Sequence, residues 1–420
     1  MKGEFDMQVI EGGVTAAKGF KAAGVNCGVK KRQPGEAWDK YFEGKFDLAL
    51  IVSDTDAAAA GIFTKNVVKA APVLLDKELL SSGVARAIVA NSGNANACAP
   101  ESMENARRMG AAAAAAIGTE AGKVLVGSTG VIGKRLNIEA IEDGVPVAAK
   151  ALSEQGSDAA AFAIMTTDTV KKEFAVTFEL GGAPVTIGGI AKGSGMIHPN
   201  MGTMLCYITT DCAISAPMLK KALLAASDAS FHCISVDGDT STNDSCVILA
   251  NGAAGNAPIE HADAAYGVFL DALTAVCVTL AKKMAADGEG AKRLVTCAVK
   301  GAASEKQASV IAKSVIGSSL VKTAMFGADA NWGRVLCAMG YSGESFDPDG
   351  VDVAFSSAAG SIPVCRAGRG LDFDEELAKK ILLENEIVIE ISMSEGRGDA
   401  CAWGCDLSYD YVKINGDYRT

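Results

Sequence analysis

Histidine is nearly absent from this chain, with 3 in 420 residues, so little imidazole is on hand for a metal centre or a general base of the usual kind. No two of the 12 cysteines are spaced CxxC. They are expected to be reduced thiols filling core positions, and Cys401 with Cys405 has no second Cys/His pair nearby to complete a zinc site. Basic runs are also missing: none exceeds the triplet at residues 30–32, and 39 basic against 50 acidic residues leaves a net charge of −11. Nothing in that balance draws the chain to nucleic acid or to an anionic membrane, and small-molecule chemistry is favoured. The opening MKGEFDMQVIEGG is mixed and acidic rather than basic and then apolar, which makes a cytoplasmic location the expectation. A P-loop is excluded because its order is GxxxxGK[ST], whereas here Lys192 precedes the glycines. Internal repeats and low-complexity linkers are absent as well.

What is present is a chain of 420 residues, 49% hydrophobic and 21% charged, with 46 glycines. Such a chain can bury a large core, and its length suggests about two or three domains. Short β-like runs at residues 46–53, 86–90 and 124–127 alternate with Ala-rich helical ones such as 104–117, which marks the chain as α/β. Residues 173–180 and 184–190 read as a hairpin around Gly181-Gly182. A strand is expected at 204–209, helices at 217–226 and 264–286, and strands at 294–299, 351–355 and 386–391. The window 264–281 is the most apolar long one, but Asp271 interrupts it and Lys282-Lys283 ends it, so a buried helix fits better than a membrane span.

The hairpin leads directly into residues 192–205, KGSGMIHPNMGTML. Thr203 there follows Gly202 at the start of an apolar run. If the Gly202–Thr203 bond is cut, one residue carries both a nucleophilic hydroxyl and a free α-amine to take its proton. Such an amine has a reference pKa of about 7.7–8.0 against about 10.4 for lysine, so it is the better base at neutral pH. Strain of about 1–3 kcal/mol at Gly202 would favour an N→O acyl shift. On the residues alone an ordinary glycine-rich loop is the heavier reading, since Gly-Thr pairs are common in loops. His198 precedes the cut and reads as a satisfied surface histidine.

Acyl transfer also needs donors for a developing oxyanion. Residues 127–133, GSTGVIG, offer a strand-ending turn with backbone N–H groups and the Thr129 hydroxyl, or equally a plain tight turn. Residues 237–244, DGDTSTND, lack the spacing and terminal Glu of a calcium loop and read as a hydrogen-bonded turn. Glu289, in DGEG, is either a solvated helix-end residue or a buried recognition carboxylate.

Taken in order, NSGNANAC (residues 91–98), GSTGVIG, KGSGMIHPNMGTML, VDGDTSTND, DGEGA, FGADANWGR (326–334) and the terminal WGCDLSYDYVKINGDYRT closely resemble the ornithine acetyltransferase (glutamate N-acetyltransferase) family of arginine biosynthesis. The resemblance runs from about Val14 to Thr420. It implies an α/β layered sandwich of the type shared with self-processing aminopeptidases. It also implies self-cleavage into an α chain of residues 1–202 and a β chain of 203–420, which stay associated as an α2β2 heterotetramer. Thr203 would be the acyl-carrying nucleophile, and Thr129 and Gly130 the oxyanion hole. Thr166, Lys192, Thr203, Glu289, Asn415 and Thr420 would contact substrate. Gly202 stands where many members have Ala, and Ala330 where Pro is usual.

The implied reaction is ping-pong transfer of acetyl from N-acetylornithine to glutamate, with no cofactor and no metal. Both amino acids carry an α-carboxylate, while the side-chain end is cationic in one and anionic in the other. Lys192 is the candidate for the carboxylate and Glu289 for the ornithine ammonium. The sequence leaves open whether acetyl-CoA is a further donor. The rival readings are a self-processed aminopeptidase or amidase, in which water accepts the acyl group, and a non-catalytic acetyl-amino-acid binder.

Overall fold

The computed structural model describes residues 7–29, 45–198 and 204–417. Its first ten strands are β1 (Met7–Ile10), β2 (Phe20–Val25), β3 (Leu48–Phe63), β4 (Val84–Asn94), β5 (Val124–Val131), β6 (Lys172–Leu180), β7 (Ala183–Lys192), β8 (Leu205–Thr210), β9 (Ile234–Ser235) and β10 (Ser245–Ala250). All but β9 join one sheet in the order β1-β6-β7-β8-β10-β3-β4-β5, with β2 also on β3. The helices among them are α1 (Ala71–Leu79), α2 (Ser102–Ile117), α3 (Ile138–Lys150), α4 (Ser157–Ala163), α5 (Ala216–Asp228) and α6 (Ala264–Ala286).

The long strand β3 folds this sheet back on itself. Its first half pairs with β2 and β4, its second half pairs with β10, and the register shifts between Val52 and Ala57. Asp54, Thr55 and Asp56 at the bend are exposed. The two halves then face each other: Ile51, Ile88, Ala90 and Leu125 pack against Leu205, Tyr207, Val247 and Leu249. Contact between them is tight enough that a Cβ on Gly127 would lie 1.9 Å from the Tyr207 hydroxyl.

Helices cover both outer faces. α5 and α6 pack on Ile187, Cys206, Ile208, Cys246 and Ile248, while α2 and α3 pack on Leu48, Leu50, Val89 and Val126. The result is the expected α/β sandwich in four layers, helix, sheet, sheet and helix. Strands buried on both faces need no polar alternation, which is why β8 and β10 read as continuous apolar runs.

α6 is capped by Asp263, whose side chain accepts from Tyr266 N–H. By length and composition it is long and apolar enough to cross a membrane, but Phe269, Leu273, Val276, Leu280 and Met284 are enclosed in the core. Its apolar circumference arises because the large sheet lies on one side and a second sheet approaches from another.

The second sheet uses β9 with β11 (Leu294–Ala302), β12 (Asp352–Ser357), β13 (Gly360–Arg366), β14 (Arg369–Gly370), β15 (Glu386–Ser392) and β16 (Gly398–Cys405). Its order is β14-β13-β12-β15-β11-β16-β9. Residues of α7 (Glu305–Gly317), α8 (Ser319–Gly327), α9 (Trp332–Gly340) and α10 (Glu375–Leu382) form its core, including Ile311, Val315, Met325, Val335 and Ile381. The final helix, α11 (Tyr409–Asp417), has no buried residue.

The expected helix at 264–286 is reproduced without change, and the hairpin becomes β6 and β7. Two expectations need correction. The strand placed at 46–53 continues to Phe63, because the polar DTD interruption is an exposed bend within one strand rather than its end. Nine cysteines are buried as expected, but Cys98, Cys337 and Cys401 are exposed, since each lies on a loop, helix or strand face that no other element covers.

Candidate active site

β7 delivers Lys192 to its own C-terminal end, where it pairs in register with Leu205, the first residue of β8. The carbonyl of Met204 accepts from Ser245 N–H at 2.9 Å, which fixes the start of β8 against β10. Residues 199–203 and 418–420 lie outside the described residues. The cleavage pair Gly202 and Thr203, the nucleophile role of Thr203 and the substrate contact at Thr420 therefore fall there.

Residues 127–131 form the end of β5, running parallel to the end of β4 with a register shift at Gly93/Asn94. The expected turn is thus a correction: GSTGV is strand, because pairing with β4 keeps it extended. Gly130 has φ 130°, a conformation nearly closed to other residues, and a Cβ there would lie 2.4 Å from the Gly93 carbonyl carbon. Side-chain amides hold this edge. Asn243 Nδ2 donates to the carbonyls of Ala95 and Ser128 at 2.6 and 2.8 Å, and Ser128 Oγ donates to Asn91 Oδ1 at 2.7 Å.

These ends enclose a cavity of 270 Å³. Its walls include Thr129, Gly130, Thr166, Lys192, Glu289 and Asn415, so every candidate site residue that lies among the described residues faces one space. Lys192 is nearly enclosed, and its Nζ donates to Thr129 Oγ1 at 3.4 Å. Across the cavity, Asn415 Nδ2 donates to Glu289 Oε2 at 2.7 Å. Glu289 is half-buried and hydrogen-bonded rather than a fully solvated helix-end residue. Gly195 makes room for it, since a Cβ there would lie 2.4 Å from its carboxyl carbon.

Behind Lys192 lies a buried charge network that sequence reading missed. Asp168 pairs with Lys172 Nζ at 2.8 Å and Lys192 Nζ at 3.8 Å, and it accepts from Gly193 N–H at 2.7 Å and Thr166 N–H at 3.1 Å. Lys172 also binds Asp287, which in turn accepts from Thr169. Burial alone would raise the Asp168 carboxyl, but Lys192, Lys172 and these hydrogen bonds outweigh it and hold the group well below the usual carboxylate range. At Asp244, enclosed just before β10, the balance is reversed. Burial pushes it well above its ordinary value, against the opposing pull of the Met204 backbone, Thr64 and Lys192.

The available signal for Asp168 was its place in MTTD beside Thr166, and for Asp287 its place in DGEG beside Glu289. DGDTSTND is the expected hydrogen-bonded turn: Asp237 accepts from Ile197 N–H at 2.8 Å and Asp239 N–H at 3.2 Å. His198 is satisfied, as expected, with Nδ1 2.9 Å from Ser235 Oγ. It is half-buried rather than on the surface, and burial and then Lys313 lower its pKa.

Comparison with known proteins agrees with the motifs. The model of the ArgJ family matches residues 21–420. The chain is 51% identical to the arginine biosynthesis bifunctional protein ArgJ of Symbiobacterium thermophilum, over 99% of this chain and 100% of that one. It is 48% identical to the protein of the same name from Caldanaerobacter subterraneus subsp. tengcongensis, again over 99% and 100%. A crystal structure of Arginine biosynthesis bifunctional protein ArgJ from Bacillus halodurans is 43% identical, covering 50% of this chain and 98% of that one with a TM-score of 0.48. With a family match across nearly its whole length and relatives this similar over theirs, the chain belongs to the ArgJ family.

Proposed function

We propose that this chain moves an acetyl group from N-acetylornithine to glutamate through an acyl-Thr203 intermediate, in the arginine biosynthesis for which its relatives are named. Self-cleavage at Gly202–Thr203 gives chains of residues 1–202 and 203–420, which remain together as an α2β2 assembly in the cytoplasm. The freed α-amine of Thr203 takes the proton of its own hydroxyl as Oγ1 attacks the acetyl carbonyl. Thr129 and Gly130 stabilise the oxyanion, the C–N bond breaks, and ornithine leaves carrying the proton. Glutamate then repeats the steps in reverse. No cofactor takes part.

One observation carries this reading: Thr129, Gly130, Thr166, Lys192, Glu289 and Asn415, drawn from five separate motifs, line a single cavity. The fit to substrate follows from charge. Lys192 takes the α-carboxylate common to both amino acids, Glu289 takes the ornithine ammonium, and Thr166, Asn415 and Thr420 complete the contacts. Because its relatives are named bifunctional, acetyl-CoA is the second donor we assign, starting the acetylated series as well as recycling it.

The test is incubation with N-acetylornithine, with and without glutamate. Without glutamate, ornithine release should stop at one equivalent per site, and the peptide beginning at Thr203 should gain the mass of one acetyl group. Continuous release without glutamate would assign the chain to the amidase class instead. Acetyl-CoA with glutamate forms a separate arm, and N-acetylglutamate produced there establishes the second donor.

A further inference from the structure

Lys192 is placed for more than gripping a carboxylate. Its ammonium lies between Thr129 Oγ1 at 3.4 Å and Asp168 Oδ2 at 3.8 Å. An ammonium has donors and no acceptor, so the Thr129 hydroxyl must be the acceptor in that contact. Its own hydrogen is then free to turn into the cavity that Thr129 lines.

Asp168 fixes this arrangement from behind. Its side chain is fully enclosed, and Gly193 N–H, Thr166 N–H and Lys172 Nζ hold both carboxylate oxygens. It has no freedom to reorient. Lys172 is shared between Asp168 and Asp287, which leaves two anions against two cations, and among these four Lys192 lines the cavity. A buried ion pair of this kind is a poor device for stability, yet a good one for holding a charge in one place.

We propose that Lys192 acts in the chemical step by polarising the Thr129 hydroxyl toward the developing oxyanion, with Asp168 as the positioning residue that holds Lys192 there. This rests on the acetyl-transfer reading above. As Thr203 Oγ1 forms its bond to the acetyl carbon, the carbonyl pair moves onto oxygen. Thr129 O–H then donates to that oxygen while Lys192 N–H donates to Thr129 Oγ1. No proton leaves Lys192; the one lost by Thr203 goes to its α-amine and from there to the departing ornithine. Donors that are already oriented act without reorganisation when charge develops, which is where such contacts have their largest effect.

Steady-state kinetics of the cleaved enzyme and a double-mutant cycle test the proposal. Lys192→Met and Thr129→Val should each lower kcat by about 10²–10³-fold, and the double variant should be no worse than about threefold below the weaker single. Asp168→Asn should lower kcat about tenfold with little change in KM, and this loss should vanish in the Lys192→Met background. A purely structural Asp168 would leave kcat per folded molecule intact, whatever the change in melting temperature. Multiplying losses, or a Lys192→Met enzyme with raised KM and normal kcat, would overturn the proposal and leave Lys192 as a carboxylate anchor alone. Should Lys192→Met block self-cleavage, the cycle between Asp168→Asn and Thr129→Val decides by the same criterion. Failure of the underlying reading is distinct, because the unsubstituted protein would then move no acetyl group from N-acetylornithine to glutamate.

Discussion

The two ends of the cavity are built on opposite plans. At one end Lys192 projects from a central strand, its side chain 7% exposed, backed by Asp168 and touching Thr129. At the other, Glu289 sits in a loop after α6 and meets Asn415, an exposed residue on a terminal helix with no buried side chain. On the proposed assignment, rigidity is concentrated where the two substrates are alike, at the α-carboxylate. Adaptability lies where they differ, one carrying an ammonium and the other a carboxylate. A ping-pong site that admits both in turn needs this asymmetry: a fixed anchor aligns the acetyl group for attack, and a loosely held end changes partners.

The largest expected effect removes the feature that both ends serve. Thr203→Ala should abolish self-cleavage and transfer together, leaving a single band of full length on a denaturing gel; two fragments from that protein would end the proposed mechanism. Next comes the strand proposed to stabilise the oxyanion. Gly130→Ala places a methyl group 2.4 Å from the Gly93 carbonyl carbon at φ 130°, so the β4–β5 contact must open. A loss in kcat of about 10²–10³-fold is expected, with binding of N-acetylornithine largely kept.

The rigid end should also be the end that matters for stability. Lys172→Met removes a cation whose side chain is 0% exposed and leaves Asp168 and Asp287 without it, at a cost of about 3–5 kcal/mol. Denaturant unfolding measures this, and a cost below about 1 kcal/mol would show that the network is not a closed unit. By contrast Glu289→Gln should leave the melting temperature unchanged and raise KM for N-acetylornithine about tenfold, the order of a single charge-assisted contact. If glutamate binding alone suffered, the polarity assigned to this end would be reversed.

The same asymmetry governs what was legible in the sequence. Glu289, Asn415 and the KGSGM loop stand in compact motifs, and α6 announces itself by a long apolar run. Asp168 does not: Lys172, four residues on, is in a strand rather than on a shared helix face, and Asp287 is more than a hundred residues away. No local pattern encodes a pairing that exists only after β6 and α6 pack. Glycine misled in a related way. GSTG has turn composition, yet it is extended, because β4 approaches Gly130 more closely than any Cβ would permit.

The smallest expected effect is one of pH, and it separates the paired carboxylate from ordinary ones. Asp168 has a folded-state pKa held well below its reference value, against about 3.9 in an unfolded chain. A group depressed on folding contributes stability that is present above the unfolded value and is lost as pH falls through the folded one. The melting temperatures of the unsubstituted protein and Asp168→Asn should therefore differ by a constant amount from pH 7 down to about 4. Below that the gap should narrow, because protons then bind the unfolded chain while the native carboxylate stays charged. A gap that instead stayed constant below about pH 4 would mean that Asp168 titrates in the folded protein as it does in the unfolded chain, and that Lys192 and Lys172 do not hold it as a pair of counter-charges must.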